Sequence, residues 1–185
     1  QTAGKRSPAF PDGTVLYEGD FNRKVADDVF KFCKSGNIDV VNVVDSLEDV
    51  PLRTRVARAN EIHRNKQNCI YVSIHANAFG NGADFNGAKG VCTFHHYRST
   101  SGERLALSLQ RWLGELTPLR DRGIRSNDSW ANFYVLRKTH MPAVLSENGF
   151  MTNFDDATAL LDPTVQRQVA WAHYAMIQEI EENGL

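Results

Sequence analysis

Apolar positions along the chain follow two different periods, and each period marks an element. Phe21, Val25, Val29 and Phe32 recur at helical spacing with Gly36 beyond them, which predicts an amphipathic helix ending at a turn. Residues 38–45 are dense in β-branched side chains and read as a buried strand. Pro51, favoured in a first helical turn, opens a second helix bearing Leu52, Val56, Ala59 and Ile62. Residues 71–77 form an apolar strand, so the order is helix, strand, helix, strand. That alternation predicts crossover connections and a mostly parallel sheet. Residues 78–89, which contain Gly80, Gly82 and Gly87, read as a loop, and residues 90–97 alternate as a further strand. A helix starting within 99–102 carries Leu105, Leu109, Trp112 and Leu116, with Pro118 just past its end. Residues 133–136 and 143–150 supply two more strands. From Pro163 a long helix turns Val165, Val169, His173, Met176, Ile177 and Ile180 inward.

The expected fold class is therefore α/β: one domain spanning residues 1–185, a twisted, mostly parallel sheet with helices on both faces. Its 185 residues, 42% hydrophobic and 23% charged, suit a single domain with a substantial core. A net charge of −1 and a pI near 6.7 leave no basic footprint, so nucleic acid is not an expected partner. No apolar run approaches the roughly 20 residues that span a bilayer, and the amino end lacks the apolar segment of a signal peptide. Cys33, Cys69 and Cys92 lie far apart without a CxxC pair. They read as small buried hydrophobes, not as a thiolate metal site or a disulfide framework.

Two strands carry candidate chemistry. Tyr71-Val72-Ser73-Ile74-His75-Ala76-Asn77 delivers a histidine towards its carboxyl end, where open α/β sheets build their sites. Ala143-Val144-Leu145-Ser146-Glu147-Asn148-Gly149-Phe150 places an acid inside an apolar run. A glutamate there is costly to ionise unless a cation, a proton or a hydrogen-bond donor is close. Glu18, at the entry of the first helix, reads by itself as a partner of the helix dipole, and His75 by itself as a satisfied strand-end histidine.

Further blocks run through the chain in a fixed order. Asn22 follows Glu18; Leu52-Arg53-Thr54-Arg55-Val56-Ala57-Arg58-Ala59-Asn60 precedes the histidine strand; Gly90-Val91 opens the next. Asp121-Arg122-Gly123-Ile124, Tyr134-Val135-Leu136-Arg137, Met141-Pro142 ahead of the glutamate strand, Met151-Thr152-Asn153 behind it and Leu160-Leu161-Asp162-Pro163 complete the set. Together they resemble the zinc-dependent N-acetylmuramoyl-L-alanine amidases, the amidase-3 family of peptidoglycan hydrolases. The resemblance implies zinc as cofactor, Glu18 and His75 as metal ligands, and Glu147 as the catalytic carboxylate beside the metal. It implies peptidoglycan as substrate, cleaved at the amide joining N-acetylmuramic acid to L-alanine. Action in the periplasm, outside the cell or in the cell wall follows from it, with a phage lysin as another origin of such a domain; a monomer is the expected state.

One departure accompanies the resemblance. The family's first zinc histidine belongs to a Gly-His-Gly turn after a first strand, whereas no histidine precedes His63 here. The expectation is a chain lacking that strand and that ligand. His95 and His96 on one strand point two ways, so at most one could face a site, and the pair reads as exposed or groove-lining. His140 is the other histidine weighed as a substitute, while His63 and His173 read as helix surface or core. The connections at 80–90 and 97–102 are too short for the inserted helix that blocks the cleft in some family members, so an open groove is expected. Two alternatives stand beside the amidase reading. One is a catalytically inert peptidoglycan-binding module with an incomplete zinc site; the other is a zinc carboxypeptidase-like peptidase using Arg137 as a carboxylate anchor.

Overall fold

The computed structural model describes residues 5–127 and 132–185. Its elements follow as α1 (Glu18–Ser35), α2 (Leu52–Lys66), β1 (Tyr71–Asn77), β2 (Val91–His96), α3 (Thr100–Leu116), β3 (Asp121–Asn127), α4 (Tyr134–Lys138), β4 (Ala143–Phe150), α5 (Phe154–Leu161) and α6 (Pro163–Asn183). The strands form one sheet in the order β1-β4-β2-β3. β1 runs parallel to β4 and β2 parallel to β3, while β2 and β4 are antiparallel. The sheet is thus mixed, with parallel pairs at both sides of one antiparallel junction.

Strand alternation sorts side chains onto two faces. On one face Val91 and Val144 join Phe21, Val25 and Val29 of α1, Leu105, Leu109 and Leu113 of α3, Leu160 of α5 and Val169 and Met176 of α6 in the larger core. On the other, Tyr71, Cys92, Phe94, Ala143 and Leu145 pack with Val56 and Ala59 of α2 and Val135 and Leu136 of α4. Residues 78–90 contain no helix, in line with the expected loop. Gly90 opens β2 at φ +104, and a Cβ there would run into the Arg120 carbonyl oxygen, so glycine alone lets the strand start beside β3. Among the described residues no helix is long and apolar enough to cross a membrane.

Several expectations are corrected. Residues 38–45 form no strand. A strand needs a ladder partner, and among the described residues nothing pairs with the edge of β1 that faces away from β4. The segment is held by side chains instead: Asn42 Oδ1 accepts from Val44 N, Arg58 donates to the Val43 carbonyl, and Lys66 pairs with Asp39. Val41 is left exposed, while Ile38 and Val40 rest against the core. Residues 133–136 contribute to helix α4, not to a strand; Val135 and Leu136 are both buried, an adjacency that four apolar residues cannot resolve by period. Strand β3 and helix α5 went unpredicted. Cys33 and Cys92 are buried as read, but Cys69 is only partly so.

Candidate active site

Glu18 is placed by a hairpin that folds back on the start of α1. Ser7 N donates to the Leu16 carbonyl at 2.9 Å, Leu16 N to Ser7 Oγ at 2.9 Å, and Glu18 N to the Lys5 carbonyl at 3.0 Å. At its tip, the Phe10 ring packs 5.1 Å from both Phe85 and Phe154, tying the hairpin to the glycine loop and to α5. The carboxylate thereby reaches the carboxyl end of β1 from outside the sheet.

There it meets His75. Alternation turns Tyr71, Ser73 and His75 to the same face, and His75 Nδ1 lies 2.8 Å from Glu18 Oε1 while Nε2 lies 3.1 Å from Ser73 Oγ. A carboxylate only accepts, so Nδ1–H donates to Glu18 whether the ring is neutral or charged, and the Ser73 hydroxyl donates to Nε2 when the ring is neutral. Asn22 Nδ2 adds a contact to Glu18 Oε1 at 3.5 Å, leaving its own Oδ1 buried without a partner. Burial pushes the Glu18 carboxyl up, but the hydrogen bond and charge of His75, with Lys5 and Asn22 behind them, hold it below its ordinary value.

Glu147 is the cross-strand partner of His75 in the parallel β1–β4 register. It is 8% exposed, and its Oε2 is buried without a hydrogen bond. Burial raises its pKa to about 7; His75 and Lys5 oppose the rise and the Glu18 charge adds to it. The back of this row is braced. Asn148 Nδ2 donates at 2.9 Å both to the His75 carbonyl and to Ser146 Oγ, and Ser146 Oγ meets His173 Nε2 at 2.8 Å. His173 Nδ1 sits 2.7 Å from the Val169 carbonyl, an acceptor, so Nδ1 carries the ring proton and Ser146 donates to Nε2.

Positions 18, 75 and 147, far apart in sequence, therefore gather at the carboxyl ends of β1 and β4. As a metal site the donor set is of the right type but short. The Ser73 hydroxyl can reverse to accept Nε2–H, which frees the Nδ1 lone pair to face a cation shared with Glu18. A structural or hydrolytic zinc takes at least three protein ligands. Among the described residues no group of three or more His, Cys, Asp or Glu is arranged to hold a metal. The other histidines do not fill the gap. β2 runs against β4, so Cys92 stands opposite Glu147 and His95 opposite Val144, about 10 Å further along the sheet. His95 is buried, not groove-lining, and His140 is exposed ahead of β4.

Three residues near the centre were not anticipated. Ser73, two positions before His75, follows from strand alternation alone. Lys5 lies close enough to lower both carboxyls, and Cys92 faces Glu147; both depend on pairings that sequence periodicity does not reveal.

Known proteins resemble this chain in both sequence and fold. The amidase-3 family profile, described as N-acetylmuramoyl-L-alanine amidase, matches residues 3–179. The uncharacterised protein YqiI of Bacillus subtilis (strain 168) is 32% identical over 160 residues, covering 85% of this chain and 71% of YqiI. N-acetylmuramoyl-L-alanine amidase LytC of the same strain is 34% identical over 105 residues, 56% of this chain but only 20% of LytC. The crystal structure of N-acetylmuramoyl-L-alanine amidase from Clostridium difficile 630 superposes with a TM-score of 0.80 at 29% identity, covering 96% of this chain and 89% of that one. The catalytic domain of CwlV from Bacillus (Paenibacillus) polymyxa var. colistinus gives a TM-score of 0.76 at 30% identity, covering 90% and 86%. The match over nearly the whole sequence, on a fold shared with these enzymes, means that this chain belongs to the amidase-3 family of N-acetylmuramoyl-L-alanine amidases.

Proposed function

We propose that residues 1–185 form the catalytic domain of a zinc-dependent N-acetylmuramoyl-L-alanine amidase that hydrolyses the amide between N-acetylmuramic acid and L-alanine in peptidoglycan. The observation that carries this reading is the meeting of Glu18, His75 and Glu147 at one sheet edge, with Glu147 Oε2 buried and unpartnered. Glu18 and His75 would hold the metal, and a third protein ligand would have to come from outside the described residues. Zinc, when bound, supplies a Lewis acid for the scissile carbonyl and acidifies the attacking water.

The chain's own residues do the rest. Glu147 accepts the water proton and returns it to the alanine nitrogen as the amide breaks. Ser73 orients the His75 ring, and Asn148 fixes the backbone of β1 beside β4. Burial of Glu147 among Leu145, Cys92 and the strand ladder keeps bulk water from competing for its proton. An inert binding module would have no use for a carboxylate whose burial costs stability and that nothing pairs, so the catalytic reading accounts for more. A wall-degrading hydrolase acting outside the cytoplasmic membrane is consistent with relatives that include a Bacillus subtilis amidase and the endolysin of Bacillus phage SPP1.

The test is zinc stoichiometry of the natural full-length product together with release of L-alanine-terminated peptide from muropeptides. Metal near one per chain, and cleavage that disappears in Glu147→Gln, support the reading. Cleavage that survives Glu147→Gln undiminished would sink it.

A further inference from the structure

We propose that Arg122 and Arg125 form a carboxylate-binding subsite for the peptide half of the substrate, making β3 a specificity-determining wall beside Glu147. The inference rests on the amidase reading and adds a ligand contact to it.

Its first support is the register. Cys92 is opposite Glu147, and Phe94 is the β3 partner of Arg125, so strand alternation puts His75, Glu147, Cys92 and Arg125 on one face. The Arg125 charge acts on the Cys92 thiol, opposing the rise that burial imposes, which sets it near the middle of β2. Arg122 also acts on Cys92, and its guanidinium lies 5.1 Å from the Phe150 ring centroid at the end of β4. Its Nη1 is steadied by the Lys89 carbonyl at 3.1 Å. Two solvent-exposed arginines of β3 thus flank this face, Arg125 acting on Cys92 of β2 and Arg122 reaching Phe150 at the end of the strand that carries Glu147.

Charge and spacing indicate what they meet. Asp121, the acid of the same strand, is engaged elsewhere, accepting from Gln110 Nε2 and Gly123 N. Among the described residues Arg122 makes no ion pair. In the substrate, the lactyl carboxyl is consumed in the scissile amide, so the anionic groups next to the cut belong to the peptide. The second peptide residue lies about 7 Å from the scissile bond when extended. β3 lies two strand spacings, about 10 Å, from β4, and an arginine side chain closes the difference. Guanidinium is the side chain suited to gripping a carboxylate with paired hydrogen bonds.

The experiment uses two muramyl dipeptides that differ only in whether the α-carboxyl of the second residue is free or amidated. The full-length protein should cleave the free acid with a kcat/KM about tenfold or more above that of the amide. Arg122→Gln/Arg125→Gln should bring that ratio close to one through KM, and Arg122→Lys/Arg125→Lys should restore part of it. Equal losses on both peptides, a change confined to kcat, or an unaltered ratio would overturn the subsite. Calorimetric titration of both peptides separates the two claims. Tighter binding of the acid without cleavage would sink the amidase reading and spare the subsite, whereas cleavage without preference would do the reverse. Neither binding nor cleavage would end both.

Discussion

His75 and Glu147 face each other across parallel strands, one hydrogen-bonded outward to Glu18 and the other with an oxygen left bare. On the proposed reading the asymmetry divides the labour of the site: the imidazole belongs to the metal's donor set, and the carboxylate is kept for a proton. Glu147→Gln preserves volume and burial while removing proton acceptance. Its kcat on a muramyl peptide should fall at least about 100-fold, with an unchanged circular dichroism spectrum. An equal loss of fold and activity would show a structural role instead.

Ser73 offers a finer probe. Among the described residues its hydroxyl hydrogen-bonds the far nitrogen of His75 alone, so on the proposed reading Ser73→Ala should weaken zinc binding about 10-fold to 100-fold, the range seen when a ligand's outer partner is lost. His75→Ala should lose more, because on the proposed reading it removes the ligand itself. Zinc titration with a competing chelator reads both. Equal zinc affinity in Ser73→Ala and the wild-type protein would show that Ser73 does not orient the ring.

What sequence could reveal of this arrangement depended on the range of the signal. The strands at 71–77 and 143–150 and the helices α1, α2, α3 and α6 were legible because each is written locally as a period, and Glu147 stood out as an acid in an apolar run, whereas Glu18 and His75 were singled out only by the family resemblance. The segment 38–45 looked like a strand because β-branched composition says nothing about whether a ladder partner is present. Strand β3, Asp-Arg-Gly-Ile-Arg-Ser-Asn, escaped because its polar residues face a solvated edge and its pairing with β2 is entirely nonlocal. Lys5 and Cys92 belong to the site through a hairpin and an antiparallel register, neither of which periodicity encodes.

The brace behind the site titrates in an unusual range. Complete burial depresses the His173 pKa to about 4, with the Val169 carbonyl opposing weakly. The unfolded chain takes up this proton near pH 6.5, the folded one only near pH 4, so acid favours unfolding. Stability should hold above about pH 6.5 and decline between there and pH 4, by about 3 kcal/mol from this one residue. Urea unfolding at pH 7.5 and pH 4.5 measures the decline, and His173→Gln should flatten it. A slope identical in the variant would show that other groups govern acid unfolding. Ser146→Ala strands Nε2 of the ring in the core and should cost about 1–3 kcal/mol at neutral pH.

Asp156 permits a sharper discrimination. Its carboxylate is buried at the start of α5, and one oxygen, Oδ2, accepts from Gly90 N at 2.7 Å and from Phe150 N at 2.8 Å. That single atom joins the entrance of β2 to the exit of β4, the strand that carries Glu147. Asp156→Ala leaves two buried N–H groups without partners, and at about 1–3 kcal/mol each the loss should reach about 2–6 kcal/mol. Asp156→Asn retains one carbonyl oxygen, which is all that two donors aimed at the same atom require. It forfeits only the charge assistance, so its cost should stay near 1 kcal/mol. Denaturant midpoints of the two variants decide the matter. If the asparagine variant falls as far as the alanine one, the negative charge and not the shared acceptor is what holds the two strands together.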